Sequence, residues 1–502
     1  MRSQSITLES RDAAQTGTQT VRNLLNALEE KSIPYCHWKS NVRLAETLQG
    51  VEDIDLLVDR RHATLFHQVL LENGFKLAQS RSGIEHPGVF HALSVDDASA
   101  KLVDLHAYYQ LVSGDSFVKN YRLPIENRLL ASTCHVHGIR IPTPEAELVL
   151  FALRIVLKHI SLVEILKANL RYRKISGELA WLREAANVDK AAALCTAWFP
   201  GVEPALFRRL LDAIAEDRAI AQRVLLGWRV ARRLSGLRRL SPVLAATSRL
   251  WRFLIFLLGR LRGRRDLALR TGGVIVALVG PKATGKSTLG RELSARFGRH
   301  LDVLRIHAGK PPATALSIVP RLFVPIARWL LPNERLAEYE KPERRLERRY
   351  SLLYVLRMTL VAYDRRKLLR KALRNATAGA IVLSDRYPSE AVGAIDSSCF
   401  DDAAIATCNS PLKRWLMARE RRLYRALPKP QLVLRLRAPL DAAIERDARR
   451  GKVGGPDAEA VRRRWELETR GDFPGTPVIH IDTGQPLEET IRAAVRAVWA
   501  AL

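Results

Sequence analysis

The stretch Gly280-Pro-Lys-Ala-Thr-Gly-Lys-Ser-Thr288 constrains the fold of this chain more than any other segment. It fits the pattern G-x4-G-K-[ST], in which the glycines allow the backbone to wrap around a phosphate group. The apolar, β-branched run 274–279 before it predicts a buried strand, and the periodic run 289–297 after it predicts a helix. Backbone amides and a helix N-terminus then offer positive potential to an anion. The segment therefore predicts a phosphate-binding loop between a strand and a helix.

The residues of this loop predict the donor side of a nucleotide site. We expect the Lys286 ammonium to reach the β- and γ-phosphates, and the Ser287 hydroxyl to hold Mg2+. ATP and Mg2+ are therefore the predicted cofactors. The alternative is an accidental glycine-rich turn, which the complete motif in its strand–helix context disfavours. The predicted nucleotide-binding residues are Gly280, Pro281, Lys282, Ala283, Thr284, Gly285, Lys286, Ser287 and Thr288.

Length and composition indicate a folded protein with more than one domain. At 502 residues the chain is too long for one ordinary core, so about two to four domains are expected. Its 47% apolar and 26% charged residues are typical of a folded, soluble protein. The scattered cysteines form no C-x-x-C pair, which indicates reduced thiols in a cytoplasmic protein. Residues 1–20 are polar, lack an apolar signal core and are expected to form a disordered leader.

The net charge of +29 indicates an anionic partner, such as nucleic acid, an acidic membrane surface or a phosphorylated substrate. Much of the excess is local, because residues 222–265 contain twelve arginines and no acidic residue. No recognised nucleic-acid reader motif accompanies this charge, so nucleic acid is not the expected partner. We assign residues 222–268 to a basic amphipathic connector.

Apolar residues recur with helical spacing inside this connector. Trp251, Leu254, Ile255 and Leu258 follow the i, i+3, i+4, i+7 pattern, which predicts one apolar face with cationic flanks. No run reaches the ~18 uninterrupted apolar residues that a membrane span requires. Two interpretations remain open. Residues 245–265 lie on an anionic membrane surface, peripheral to its inner face, or the helix packs between domains with its arginines in water.

Three aspartates predict a metal site in the N-terminal part. Asp53 and Asp55 are separated by one residue on a strand-like run, so alternation places both carboxylates on one face. Asp104 lies in another strand-like run, flanked by apolar residues. Carboxylates this close repel one another unless a cation joins them, so these residues predict a two-metal site of the nucleotidyl-transfer type. The alternative is that Asp53 and Asp55 only solvate the end of a strand.

The same segments carry a family resemblance. D-I-D-L-L-V at 53–58, Gly74-Phe75 and V-D-L-H at 103–106 resemble the nucleotidyltransferase fold, and especially the nucleotidyltransferase-like proteins found with bacterial surface-polysaccharide genes. The resemblance covers about residues 30–220 and implies an α+β domain. Where that fold has a Gly-Ser turn this chain has Lys39-Ser40, so triphosphate binding is in question, although Lys39 can itself pair with a phosphate.

The apolar pattern changes to helical spacing near residue 144, which predicts a helical extension and a basic helical connector after it. The predicted organisation is a leader (1–20), a nucleotidyltransferase-like domain (21–143), a helical subdomain (144–221), the connector (222–268) and a P-loop domain (269–502).

Strands and helices alternate after the loop, which predicts a three-layer α/β domain with a parallel sheet. Further strands are predicted at 301–306, 380–385, 431–436 and 478–482, and a long helix at 346–376. The strand that ends in Asp385 places a carboxylate where such folds organise Mg2+, so Ser287 and Asp385 are the predicted metal ligands here.

An ordered set of segments in this half resembles thymidylate kinase. The set comprises the loop, Ala362-Tyr-Asp-Arg365, Asp385-Arg386-Tyr387, the arginine-rich segment 445–452 and the final V-I-H-I-D-T-G-Q-P-L-E-E, and it covers about residues 270–502. The resemblance implies that Arg386 holds the acceptor's phosphate and that Arg365 contacts its base. Because the loop has Ala283 where some members have an arginine, the lid segment must supply that cation. The candidate lid residues are Arg446, Arg449 and Arg450.

Two departures from this family lie on the acceptor side. Lys282 stands where the family has an acidic residue, and His307-Ala-Gly-Lys310 replaces its Arg-Glu-Pro-Gly turn. Thymidylate is therefore a doubtful acceptor, and Lys282 and Lys310 suit a more anionic one.

The predicted function is ATP-dependent phosphoryl transfer to a nucleoside monophosphate or related phosphorylated acceptor. The resemblances add a nucleotidyltransferase-like domain and a role in surface-polysaccharide metabolism. Three alternatives remain open: an ATP-binding regulatory module, a kinase of sugars or sugar phosphates, and a nucleic-acid-stimulated motor. The lack of a second acidic ATPase motif disfavours the motor. A homodimer is compatible with the sequence.

Overall fold

The computed structural model describes residues 17–81, 85–160, 162–216, 220–261, 267–323, 350–394, 396–448 and 471–502. The chain divides into two compact units, Met1–Arg270 and Thr271–Leu502. Most of the predicted leader therefore lies outside the described residues, as do Arg449 and Arg450 of the predicted lid.

The N-terminal unit is built on a mixed six-stranded sheet of order β1-β2-β5-β4-β3-β10. Strands β2 and β5 are parallel, and the other neighbouring pairs are antiparallel. The sheet strands are β1 (Tyr35–His37), β2 (Ile54–Val58), β3 (Lys76–Ser80), β4 (Val89–Val95), β5 (Leu102–Tyr108) and β10 (Leu267–Leu269). Two small hairpins add β6 (Leu111–Ser113) with β7 (Tyr121–Leu123), and β8 (Thr133–Val136) with β9 (Ile139–Pro142).

Helices complete this unit in two groups. Those before the helical extension are α1 (Gln19–Glu30), α2 (Leu44–Leu48), α3 (Ala63–Glu72) and α4 (Glu126–Ala131). The helices from residue 144 onward are α5 (Pro144–Lys158), α6 (Leu162–Ala185), α7 (Val188–Trp198), α8 (Pro204–Ala215), α9 (Ile220–Arg233) and α10 (Pro242–Leu261). Helix α5 begins with a proline at its first turn and two acids near its positive end, as helix starts favour. It is buried nearly all round, so it forms the centre of the helical part.

Strand β10 belongs to the N-terminal sheet, although its residues fall in the predicted connector. It pairs antiparallel with β3, with Ala268 opposite Gln79. A three-residue strand is too short to show an alternation pattern in sequence, which is why the prediction did not detect it. The boundary between the units consequently falls after Arg270, close to the predicted one.

Helix α10 turns two of its arginines inward, whereas Arg260 and most of its apolar residues are exposed. Arg249 pairs with Asp115 at 3.0 Å, and the Arg252 guanidinium donates to the Phe117 carbonyl at 2.6 Å. Trp251, by contrast, is 66% exposed. The other exposed apolar residues of the helix include Val243, Leu244, Leu250, Leu254, Leu257, Leu258 and Leu261. The apolar face predicted from the spacing is therefore the outer face.

The described residues contain one helix, α10, that is long and apolar enough to cross a membrane when judged by length and composition alone. Of its most apolar 18-residue window, 6% is buried. The sequence prediction did not include this helix, because it was based on uninterrupted runs of apolar residues. Thr247, Ser248 and the arginines interrupt the run, but the average stays apolar.

The C-terminal unit contains a five-stranded, fully parallel sheet of order β12-β13-β11-β14-β15, which confirms the predicted parallel α/β fold. The strands are β11 (Ile275–Val279), β12 (Val303–His307), β13 (Ile381–Asp385), β14 (Leu432–Arg437) and β15 (Val478–Asp482). The helices are α11 (Lys286–Phe297), α12 (Ala315–Leu322), α13 (Leu352–Thr377), α14 (Asp402–Ala406), α15 (Pro411–Arg425), α16 (Leu440–Ala448) and α17 (Leu487–Ala500).

Alternate residues of the central strand β11 face helices on opposite sides of this sheet. Ile275 and Ala277 pack in one cluster with Leu369 of α13. Leu278 points the other way and approaches Gly290 of α11, where an added Cβ would lie 3.1 Å from its side chain. The sheet therefore lies between two helical layers, and the carboxyl ends of its strands form one open edge.

Candidate functional site

The loop after β11 has the backbone geometry of a phosphate cradle. Gly280 has φ 141°, and a Cβ there would lie 2.5 Å from the Leu436 carbonyl oxygen, so only glycine fits. Gly285 has φ 91° and directly precedes the first residue of α11. Ala283 is also left-handed, with φ 67°. The loop thus turns its backbone amides toward one point at the helix N-terminus.

Lys286 is folded back onto this loop. Its ammonium donates to the carbonyl oxygens of Gly280 at 2.6 Å and Pro281 at 2.7 Å, and the residue is buried. The hydroxyl of Thr284, which is fully buried, donates to the same Pro281 carbonyl at 2.8 Å and braces the turn. These carbonyls hold the ammonium at the mouth of the cradle.

The Ser287 hydroxyl donates to the Asp385 carboxylate at 2.8 Å. The sheet register explains this contact, since Leu278 of β11 is paired with Asp385 at the end of β13. Two hard oxygen ligands, one hydroxyl and one carboxylate, fit the preferences of Mg2+, which also keeps several waters. Ser287 and Asp385 therefore fit the predicted metal.

A cleft opens beside the loop and is lined by Gly280, Arg386 and Asp396 among others. The Asp396 carboxylate bridges two arginines within it. Arg365 lies 3.3 Å from Asp396 Oδ1, and Arg386 lies 3.2 Å from Oδ2. Arg386 and Asp396 both have left-handed backbones, with φ 66° and 64°. Strained non-glycine residues of this kind cluster at functional sites.

Both arginines that the resemblance assigned to the acceptor side contact Asp396, which lines this cleft. Arg365, 3% exposed, also donates to the Ala308 carbonyl at 2.8 Å and to the Tyr424 hydroxyl. Gly309 gives them room, because a Cβ there would lie 2.7 Å from Arg386 and 2.9 Å from Asp396. The segment His307-Ala-Gly-Lys310 therefore packs closely against Arg386 and Asp396.

Sequence reasoning missed the two other charged residues that line this cleft, Asp396 and Arg435. Arg435 of β14 donates to the Gly471 carbonyl at 2.5 Å. Arg435 carried a usable signal, as a charged residue within an otherwise apolar strand segment. Asp396 carried none, since it lies in an irregular segment without a pattern.

The remaining predicted site residues are distributed around the loop. Lys282 is half-buried within it, and Lys310 is exposed. The Arg446 guanidinium donates to the Thr483 carbonyl at 2.8 Å, so in this structure it contacts the end of β15. Arg449 and Arg450 lie outside the described residues, so the lid assignment stays a prediction.

A buried carboxyl, Glu420 of α15, holds the segment that carries Asp396. It accepts hydrogen bonds from the Ser398 hydroxyl at 2.7 Å and the Cys399 amide at 2.9 Å. Burial raises the pKa of this carboxyl to about 7, and the two hydrogen bonds offset only part of the rise.

The three N-terminal aspartates lie on one polar face of the mixed sheet, but cations already accompany them. The Lys39 ammonium lies 2.8 Å from Asp55 Oδ1. His106 lies between the carboxylates, with Nδ1 3.3 Å from Asp55 Oδ1 and Nε2 3.6 Å from Asp104 Oδ1. Asp53 Oδ2 is 3.8 Å from the same Nε2. The two-metal site predicted at Asp53, Asp55 and Asp104 stays a prediction, and we derive no nucleotidyl-transfer step from it.

The charges of this cluster shift the pKa values in opposite directions. Burial raises the pKa of Asp55, but the Lys39 and His106 charges outweigh it and hold that pKa well below its usual range. Burial lowers the pKa of His106, but the hydrogen bonds and charges of Asp104 and Asp55 outweigh it and raise that pKa to about 10.

We expect Glu420→Gln to change the pH dependence of stability. The pKa of Glu420 is raised in the folded state above the ordinary glutamate value of 4.5, so acidification from pH 7 toward 4.5 stabilises the wild type, and the gain is lost as pH rises through about 7. Glutamine cannot titrate. Urea unfolding between pH 5 and 8 should show the wild type losing about 2 kcal/mol relative to the variant as pH rises. A pH-independent difference would contradict the assignment.

We expect Asp396→Asn to strengthen anion binding in the cleft. Asparagine removes the negative charge that neutralises Arg365 and Arg386, so inorganic pyrophosphate should bind roughly tenfold more tightly, about 1.4 kcal/mol. Isothermal titration calorimetry measures this. The matched control is Asp402→Asn, because Asp402 pairs with Arg421 at 3.2 Å on an exposed surface. Equal affinity in both variants would show that Asp396 does not occupy the anion site.

Comparison with known proteins gives distant similarities. No protein-family model matches the chain. The uncharacterized ATP-binding protein YghR of Escherichia coli K12 is 26% identical over 228 residues, 45% of this chain and 86% of that protein. YghS of the same strain is 27% identical over 237 residues, 45% of this chain and 93% of that protein.

A solved structure of thymidylate kinase from Candida albicans is also similar, at 18% identity and a TM-score of 0.26, over 45% of this chain and 90% of that one. A TM-score this low does not establish that the two chains share a fold. The assignment of a P-loop domain consequently rests on the parallel sheet and the geometry of the loop after β11.

Proposed function

We propose that the C-terminal unit transfers a phosphoryl group from ATP to a small anionic acceptor. One observation carries this proposal: Lys286, Ser287 and Asp385 converge at the carboxyl edge of a parallel sheet, around a loop shaped for phosphate. YghR and YghS are named ATP-binding proteins, and this supports ATP as the nucleotide. The matched lengths are close to that of the C-terminal unit.

On the donor side, phosphate oxygens would replace the carbonyls that now hold the Lys286 ammonium. That ammonium would then stabilise negative charge on the β- and γ-phosphates during transfer. Mg2+ held by Ser287 and Asp385 would supply further charge neutralisation between those phosphates. The remaining contribution of the chain is positioning, because phosphoryl transfer needs little covalent chemistry from the protein.

On the acceptor side, the cleft supplies two positive groups. Arg365 and Arg386 are held by one carboxylate, Asp396, which stands where an acceptor anion would bind. A phosphate has the same charge sign and can accept from both guanidinium groups. The proposed acceptor class is therefore a phosphorylated small molecule, a nucleoside monophosphate or a sugar phosphate.

Two further assignments are proposals of finer detail. Because residue 283 of the loop is an alanine and not an arginine, we propose that Arg446, Arg449 and Arg450 supply the catalytic arginine when ATP binds. Surface-polysaccharide metabolism is proposed from resemblance alone. An unphosphorylated sugar acceptor and a regulatory ATP-binding module without an acceptor are the competing functions.

We expect ATP-dependent transfer to depend on Lys286. Purified full-length protein is incubated with [γ-32P]ATP and a panel of nucleoside monophosphates, sugars and sugar phosphates. Lys286→Ala should lower product formation at least about 100-fold, because it removes a charged group aimed at the transferred phosphate. The matched control is Lys371→Ala, an exposed lysine of α13 away from the cleft.

Each outcome of this assay selects one function. Product only with phosphorylated acceptors supports the proposal, and product with neutral sugars supports a sugar kinase. ATP binding with no transfer to any acceptor supports the regulatory module. Equal product from the wild type and Lys286→Ala would overturn the kinase assignment.

A second candidate function, membrane association, is favoured by the outward apolar face of α10. We propose that this face binds an anionic bilayer surface. Exposed leucines and Trp251 form one long apolar stripe, and tryptophan prefers the level of the lipid headgroups. The arginines exposed at Arg229 and Arg232 of α9 and Arg260 of α10 supply the matching positive charge.

We expect the double variant Leu254→Gln/Leu258→Gln to bind vesicles at least about 100-fold more weakly, since burying each leucine contributes about 1.5–3 kcal/mol. Flotation with phosphatidylcholine vesicles, with and without phosphatidylserine, measures this. Leu412→Gln is the matched control, because Leu412 is 56% exposed on α15. Unchanged flotation of the double variant, or no flotation of the wild type, would contradict the proposal.

A further inference from the structure

Strand pairing brings two histidines onto the polar face of the N-terminal sheet. His91 of β4 is the direct partner of His106 of β5, and His106 is the direct partner of Asp55 of β2. The three side chains therefore lie in one row across three strands. Asp104, two residues before His106, lies on the same face. This row was not visible in the sequence, because His91 carries no motif of its own.

The side chains of His91, Asp104 and His106 present ligand atoms to a common point. His91 Nδ1 lies 3.9 Å from Asp104 Oδ1, and His106 Nε2 lies 3.6 Å from the same oxygen. All three ligand atoms are within 4.8 Å of one another. Metal–ligand bonds of about 2.0–2.2 Å place adjacent ligand atoms of one ion slightly closer than this. A small inward movement of the side chains is enough to close the site.

The His91 ring supplies an independent sign of a missing ligand. Its Nδ1 is a buried atom with no hydrogen-bond partner among the described residues. A buried polar atom of this kind costs about 1–3 kcal/mol unless something satisfies it. It points toward the Asp104 carboxylate, which is the side on which a cation would bind.

The His106 ring is oriented for metal binding by the carboxylate on its other side. Its Nδ1 faces Asp55 Oδ1 at 3.3 Å, so Nε2 is directed at Asp104. Asp55 is fixed in turn by the Lys39 ammonium at 2.8 Å and the Tyr108 hydroxyl at 3.0 Å. A metal-ligating histidine commonly donates its second nitrogen to a carboxylate in this way. Asp55 is thus a positioning residue.

We propose that His91, Asp104 and His106 bind one divalent transition-metal ion of the Zn2+ class. Imidazole nitrogens suit zinc and its neighbours, whereas Mg2+ prefers oxygen ligands. Three protein ligands leave a coordination position for water or a substrate oxygen, and Asp53 lies at its edge, 3.8 Å from His106 Nε2. This proposed site shares Asp104 with the predicted two-metal site and is independent of the kinase proposal.

The test titrates chelator-treated full-length protein with Co2+, whose visible absorption reports nitrogen ligation, and then displaces it with Zn2+. The wild type should bind one ion, and Mg2+ at millimolar concentration should not displace it. His91→Asn should weaken binding at least about 100-fold, and Asp55→Asn about 10- to 100-fold through loss of the orienting contact. His135→Asn is the matched control, since this exposed histidine of β8 pairs only weakly with Glu29 at 3.5 Å.

Circular dichroism checks that each variant is folded. His91→Asn was chosen because the side chain is 32% exposed, and Asp55→Asn gives a second reading if His91→Asn is unstable. The proposal is overturned if the wild type binds no Co2+ at micromolar concentration. It is equally overturned if folded His91→Asn or Asp55→Asn binds as the wild type and His135→Asn do, or if Mg2+ displaces Co2+.

Discussion

The candidate chemistry of the C-terminal unit depends on the hydrogen bond between the Ser287 hydroxyl and the Asp385 carboxylate. It joins the first turn of α11 to the end of β13, so it forms only if α11 begins at the edge of the sheet where β13 ends. Parallel pairing of β11 with β13 ensures this, because parallel strands carry their carboxyl ends together. The phosphate loop, the metal-binding oxygens and the acceptor cleft all lie along that edge.

Control of positive charge is a second constraint on this molecule. A chain of net charge +29 cannot bury arginines unless acceptors meet them. In the acceptor cleft a single carboxylate, Asp396, neutralises two guanidinium groups, and a backbone carbonyl satisfies Arg365 further. On α10 the same principle draws Arg249 and Arg252 inward, where Asp115 and the Phe117 carbonyl accept from them. The helix then exposes its apolar side, which reverses the usual arrangement of an amphipathic helix.

Sequence reasoning succeeded where the information was local and failed where it was long-range. The loop at 280–288 specifies its own strand and helix, and strand–helix alternation was enough to predict the parallel sheet. By contrast, the position of Asp396 depends on an irregular segment anchored by Glu420, and β10 depends on pairing with β3, nearly two hundred residues earlier. The apolar period of α10 was predicted correctly. Which face of the helix points inward depends on the ion pair between Arg249 and Asp115, and this distant contact cannot be derived from the period.

The Ser287–Asp385 pair and the N-terminal cluster of aspartates and histidines differ in the hardness of their donor atoms. This difference separates the metal ions that the two sites favour. Ser287 and Asp385 offer only oxygen, which suits an ion that arrives with nucleotide phosphates and keeps its waters. The N-terminal cluster adds imidazole nitrogens, and its Asp55 carboxylate already pairs with Lys39. Donor hardness therefore favours the C-terminal pair for Mg2+, whereas the softer imidazole nitrogens favour a transition metal at the histidines. With this division of donor atoms, the two units need not share a metal to work within one chain.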